Sequence, residues 1–183
     1  MHADKQAFRK KVRSAPRQVD EARLCREILT SPWFRAAKSV MAYAAIPPEA
    51  ELRTVLEAAL EQGKRLLLPR CDADGIMTAR AVGSLLELRA GAYGILEPAP
   101  EAAIVPAEQI DMILVPGLAF DPKGRRMGRG KGYYDRYLAG FAGKTMGICT
   151  LLVPEVPTEP LDRPMDAVVT DSGIYYCEME GEA

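Results

Sequence analysis

Residues 125–138 read RRMGRGKGYYDRYL. Glycines stand at 128, 130 and 132, and Arg125, Arg126, Arg129 and Lys131 precede the last of them; two tyrosines and an aspartate follow. Glycine lets a chain bend or lets another group approach its backbone. Cations interleaved with such a bend point to an anion, with backbone N–H groups lining the cradle. Arginine brings a planar fork for phosphate oxygens and lysine a point charge. A Walker A loop is excluded, because Arg125 stands where that pattern needs glycine and Gly132 where it needs Ser or Thr. The dinucleotide fingerprint G-x-G-x-x-G fails too, its third glycine falling one position early. A strand–helix turn with solvated charges is the plainer reading; three alternating glycines with interleaved cations favour phosphate. Asp135 has two readings. It could meet phosphate through Mg²⁺, which removes the repulsion between the two anions, or complement the dipole of a helix starting there.

The only histidine is His2, so serine–histidine and cysteine–histidine catalysis lack their base and histidine-ligated metals their ligand. An enzyme built on this chain works with carboxylates, cations, backbone amides and, where it uses a metal, a hard ion. Formal net charge is −1, so no global field draws the protein to nucleic acid or membrane. Positive charge is local: across 121–136 six basic residues face two acidic ones, a net of +4. No apolar run reaches the roughly 20 residues of a membrane helix, and the charged N-terminus predicts no secretory signal. Cys25, Cys71, Cys149 and Cys177 are widely spaced, which predicts reduced thiols in a cytoplasmic protein.

The elements that must carry the loop follow from hydrophobic periodicity. Helices are predicted over 4–13, 17–30 and 49–64, and near-continuous apolar runs at 39–46, 65–70 and 111–120 predict buried strands. Shorter strands are predicted at 76–82, 145–150 and 166–170. SPWF breaks the helical pattern, 83–100 reads as a short helix and a loop, and a helix can open at GYYDRYLAGF. Strand–helix–strand spacing with short links predicts an α/β fold: one three-layer domain spanning 1–183, with a mainly parallel, Rossmann-like open sheet flanked by helices. The glycine loop follows a buried strand, where open α/β sheets bind ligands.

ILVPGLAFDPKGRRMGRGKGYYDRYL (113–138) closely resembles the signature of the 5-formyltetrahydrofolate cyclo-ligase family. KQAFR (5–9), YAAIPPEAELRTVLEAALEQGKRLLLPR (43–70), YGILEP (93–98) and LDRPMDAVVT (161–170) resemble further stretches, so the likeness covers nearly the whole chain. The run Glu49-Ala50-Glu51-Leu52-Arg53-Thr54 departs from the family, which usually follows this glutamate with Ile or Val, an acid and Thr.

The resemblance implies a ligase of one-carbon metabolism. ATP and Mg²⁺ would drive cyclisation of 5-formyltetrahydrofolate to 5,10-methenyltetrahydrofolate, through phosphorylation of the formyl oxygen. It also implies the site. Lys5 and Arg9 would reach the ATP phosphates, and Arg126, Met127, Gly128, Arg129, Gly130, Lys131, Gly132, Tyr133 and Tyr134 would form the nucleotide loop. Arg129 and Lys131 would neutralise the transferring charge. Asp135 and Asp166 would hold Mg²⁺. Ala44, Glu49 and Tyr133 would meet the folate, with Glu49 on the pterin. The residues alone leave other readings open. Lys5 and Arg9 could be one solvated helix face, Glu49 a first-turn acid of helix 49–64 and Asp166 a loop aspartate. A small-molecule enzyme acting as a monomer is expected, without nucleic acid or membrane. The alternatives are a divergent member using another pterin or formamide, and a non-catalytic folate- or nucleic-acid-binding protein.

Overall fold

The computed structural model describes residues 2–72, 74–91 and 94–177; Ala92, within 83–100, and Tyr93 of YGILEP lie outside the described residues. Five parallel strands form the centre of one sheet: β1 (Ser39–Met41), β2 (Arg65–Cys71), β6 (Met112–Pro116), β9 (Lys144–Ile148) and β10 (Ala167–Thr170). An antiparallel strand closes each edge, β3 (Met77–Val82) beside β2 and β11 (Gly173–Tyr176) beside β10, giving the order β11-β10-β9-β6-β1-β2-β3. The sheet is mainly parallel with helices around it, as predicted.

The continuous apolar runs reflect burial on both faces. Along β6, Met112 and Leu114 face one core and Ile113 and Val115 the other. The first core is covered by α2 (Glu21–Thr30), α3 (Pro32–Ala36) and α4 (Arg53–Glu61), which bring Leu24, Ile28, Phe34, Val55 and Ala59. On the second, Phe120, Leu138 and Phe141 pack near a short helix, α5 (Tyr133–Tyr137). A third cluster seats α1 (His2–Arg13), where Phe8 and Val12 meet Leu118, Met127 and Val156. That helical repeat brings Lys5 and Arg9 to the same side.

Several boundaries differ from the sequence reading, each for a local reason. The second helix starts at Glu21, not 17, because the Asp20 carboxylate caps it by accepting from Arg23 N at 3.0 Å. SPWF is itself a helix start, with Ser31 capping Phe34 N at 3.1 Å and Pro32 in the first turn. The helix predicted over 49–64 begins at Arg53. Glu49 precedes it, folded back so that its carboxylate accepts from Ile46 N at 3.0 Å. Strand 39–46 leaves the sheet after Met41, and 83–100 holds a 3-10 turn (Leu85–Glu87) and the small ribbon β4 (Arg89–Ala90) and β5 (Leu96–Glu97).

The run 111–120 is also two strands. After Pro116 the chain turns, and β7 (Ala119–Phe120) pairs antiparallel with β8 (Arg126–Met127). Asp121, fully buried, drives that reversal. Its carboxylate accepts from Lys123 N at 3.0 Å, Arg125 N at 3.1 Å, Val156 N at 2.9 Å and Arg125 Nε at 2.6 Å.

Phe120 lies across Gly147 of β9, where an added Cβ would sit 2.3 Å from its ring. Gly147→Ala overpacks this core and should cost about 2 kcal/mol, the usual range for an extra methyl in a filled site. Urea unfolding measures it; an unchanged midpoint would mean that Phe120 can yield.

Candidate functional site

The glycine loop begins where β8 ends, near the carboxyl end of β6, since Arg126 Nη1 donates to Pro116 O at 3.3 Å. All three glycines are crossed by arginine side chains. A Cβ at Gly128 would lie 2.8 Å from Arg126 Nη1, one at Gly130 3.0 Å from Arg9 Cζ, and one at Gly132 2.8 Å from Arg136 Nη1. Gly130 and Gly132 also have φ of +94° and +69°, which strain any side chain. The glycines thus make room for guanidinium groups as well as for a ligand. α5, which follows the loop, is only five residues long.

The cations converge from separate elements. Arg9 on α1 donates from Nε to Gly128 O at 3.0 Å, so it sits on the loop and not on a solvated face. Lys5, one turn earlier, is only 7% exposed and pairs with Glu159 at 3.2 Å and with Asp162. Arg129 reaches across to the segment after β1, with Nε on Glu49 at 2.8 Å and Nη2 on Ile46 O at 2.6 Å. Lys131 is exposed, and its ammonium has no hydrogen-bond or ion-pair partner among the described residues. Met127 turns its side chain fully into the core, leaving only its backbone to the loop.

Asp135 is 33% exposed at its side chain and pairs with Arg126 Nη2 at 2.6 Å. Asp166 is elsewhere. Its carboxylate accepts from Thr145 N at 2.7 Å and Thr145 Oγ1 at 2.8 Å, at the amino ends of β9 and β10. Those strands run parallel to β6, so Asp166 lies at the opposite end of the sheet from the glycine loop, and its carboxylate is used for structure. The structure does not bring the two aspartates together. The carboxylates that it brings beside Lys5 of α1, and which the sequence reading passed over, are Asp162 and Glu159, from the Pro-rich stretch before β10. Among the described residues no three His, Cys, Asp or Glu gather as a metal cluster. Mg²⁺ does not require one, since it commonly uses one or two carboxylates with phosphate oxygens and water.

Of the residues expected to meet the folate, Glu49 is covered, its side chain only 6% exposed, and Ala44 lies half-buried in the segment leading to it. Tyr133 packs under Arg136, whose Cζ is 5.5 Å from its ring centroid, near the Gly75 turn. Tyr134 lies under Arg126, 5.6 Å from Cζ to centroid. Its hydroxyl and Arg126 Nε are buried with no hydrogen-bond partner among the described residues. Burial, then the charge of Glu49, pushes the Tyr134 hydroxyl well above its ordinary value, so it stays a protonated donor. Tyr43, also raised by burial and Glu49, is satisfied at Ala50 O, 3.2 Å away.

Residues 3–171 match the model of the 5-formyltetrahydrofolate cyclo-ligase family. A protein of Mycolicibacterium smegmatis named 5-formyltetrahydrofolate cyclo-ligase is 39% identical over 146 residues, 74% of each chain. A probable 5-formyltetrahydrofolate cyclo-ligase of Schizosaccharomyces pombe is 31% identical over 166 residues, covering 80% of this chain and 81% of that one. The solved 5,10-methenyltetrahydrofolate synthetase of Aquifex aeolicus superposes with a TM-score of 0.83 at 30% identity, covering 98% of this chain and 95% of its own.

The buried phenols give the site an alkaline signature. Their folded-state proton affinity exceeds that of the unfolded chain, whose value is 10.0, so their contribution is whole below pH 10 and lost as pH rises above it. At about pH 11.5, above the ordinary tyrosine value, ultraviolet titration of the folded protein should count fewer tyrosinates than the chain's seven tyrosines, the rest appearing on unfolding. Tyr134→Phe should flatten the alkaline fall in stability; a full count in the folded protein would contradict the burial argument.

Proposed function

The chain belongs to the 5-formyltetrahydrofolate cyclo-ligase family, and from that premise we propose that it uses Mg·ATP to close 5-formyltetrahydrofolate into 5,10-methenyltetrahydrofolate, releasing ADP and phosphate. The observation that carries the ATP half is the unpartnered Lys131 ammonium on a loop otherwise packed with guanidinium groups. A cation held out to solvent without a partner, beside Arg9, Arg126 and Arg129, suits a polyphosphate.

The chemistry asks for what this site contains. A formyl group on nitrogen is a poor electrophile whose oxygen leaves badly, and phosphorylation corrects both faults. The formyl oxygen attacks the γ-phosphorus and ADP leaves. N10 then attacks the former formyl carbon, the C–O bond breaks to release phosphate, and the N10 proton is lost. Such a transfer needs positioning and charge stabilisation more than a protein base, which fits a chain whose one histidine is His2. Lys131 and Arg129 neutralise the charge that develops on the transferring oxygens, and Arg9 and Lys5 hold the rest of the polyphosphate. Tyr134 offers a protonated hydroxyl and Glu49 takes the adjacent N–H groups of the pterin, with Ala44 and Tyr133 alongside. Asp135 would hold Mg²⁺, with Asp162 as the other carboxylate on that side; when bound, the ion neutralises phosphate charge.

Purified protein mixed with Mg·ATP and 5-formyltetrahydrofolate should develop the near-ultraviolet absorbance of the methenyl product, with one ADP per turnover. Absence of both under varied conditions overturns the reading. Lys131→Ala should lower kcat by about 100-fold or more, the scale for loss of one charge-stabilising donor, with its melting temperature unchanged. An active variant would remove the role given to that lysine.

A further inference from the structure

Glu49 and Arg129, which the preceding reading gives to opposite substrates, are engaged with each other. One Glu49 oxygen takes Arg129 Nε at 2.8 Å and the other takes Ile46 N at 3.0 Å. Arg129 Nη2 is spent on Ile46 O at 2.6 Å and Pro47 O at 3.1 Å. With its side chain 6% exposed, Glu49 cannot face a pterin until the guanidinium moves off it. Arg129 cannot turn Nε and Nη2 to phosphate until it lets go of Glu49 and the segment after β1.

We infer that the Arg129–Glu49 ion pair couples the nucleotide and pterin subsites, so that either substrate, on binding, frees the group the other one needs. The inference rests on the reading above of Arg129 toward phosphate and Glu49 toward pterin. When phosphate draws Arg129 away, Glu49 is left as a largely buried carboxylate without its cation, a costly state. The paired N–H groups of a pterin relieve it. When the pterin arrives first, Arg129 is left with only the Ile46 and Pro47 carbonyls and no carboxylate, and a polyphosphate supplies the missing negative charge. In both orders the first ligand opens the pair and the second does not meet that cost again. Linkage makes the effect reciprocal, with the same factor in each direction. Before both substrates are present, the pair also keeps the acid and the cation from committing to a lone ligand.

The test uses a non-hydrolysable ATP analogue with Mg²⁺ and 5-formyltetrahydrofolate, by calorimetry on the intact protein. Each ligand should tighten the other by the same factor, about 5-fold or more, the lower end of ordinary coupling. Glu49→Gln should bind the analogue alone about 5-fold tighter than the wild type does, and the folate should no longer change that affinity. Glu51→Gln, removing an exposed charge two residues away, should leave analogue binding as in the wild type and so separates release of Arg129 from a general loss of negative charge. Independent binding in the wild type, unchanged or weaker analogue binding in Glu49→Gln, or equal tightening in Glu51→Gln each overturns the coupling. The wild-type measurement decides the matter even where a variant fails to fold. If the analogue does not bind the wild type at all, the nucleotide reading falls and the coupling with it; if both ligands bind independently, only the coupling falls.

Discussion

A fully buried carboxylate is tolerated only when its oxygens are occupied by donors, and Asp121 meets that condition with three backbone N–H groups and the Arg125 guanidinium. The rest of the site depends on this. Two of the amides belong to the turn that folds β8 back on β7, so the aspartate sets where Arg126 and the glycine loop leave the sheet. The third, Val156 N, belongs to the Pro-rich stretch that also carries Glu159 and Asp162 to Lys5. One side chain therefore registers two loops that come from different strands, and α1 lies against both through Val12, Leu118, Met127 and Val156. An isosteric amide could not serve all four donors, because one of its two polar atoms is itself a donor.

How much of this was legible depended on whether the signal was local. The parallel centre of the sheet was readable because β1, β2 and β6 are buried on both faces and so lack polar alternation. The edge strand β11 was not seen: Gly173–Tyr176 is short and half exposed, and it is held by pairing with β10 after a tight turn. Helix starts at 21 and 53 were misread for a similar reason. Apolar spacing continues upstream of both, and a cap at Asp20 or a fold-back at Glu49 outweighs it.

The site divided along the same line. A run of alternating glycines and cations announces an anion loop without any tertiary knowledge. Which carboxylates stand near it is a matter of strand polarity. Asp166 falls at the wrong end of β10 although it lies only four residues from Asp162, and no local pattern separates the two. The pairing of Arg129 with Glu49, across 80 residues, was equally invisible. What emerges is a site that carries its own counter-ions: Arg126 has Asp135, Arg129 has Glu49, and Lys5 has Glu159 and Asp162. A polyphosphate bound there, as proposed, would exchange anions with the protein more than fill a bare positive cleft, and Lys131 is the loop cation that would need no exchange.

The glycine–arginine crossings have a consequence for how this loop can vary. Each glycine is tied to a particular guanidinium, Gly128 to Arg126, Gly130 to Arg9 and Gly132 to Arg136, so the positions form pairs and not a motif of independent letters. At 130 and 132 the backbone itself asks for glycine, and shortening the partner arginine relieves only part of the constraint. Gly128 is different: its φ lies outside the left-handed region and its nearest neighbours are all atoms of the Arg126 head group. An alanine there becomes acceptable once residue 126 is shorter. Among homologous loops, residues 126 and 128 should therefore change together, and a loop that has lost its first glycine should also have lost the arginine that crossed it.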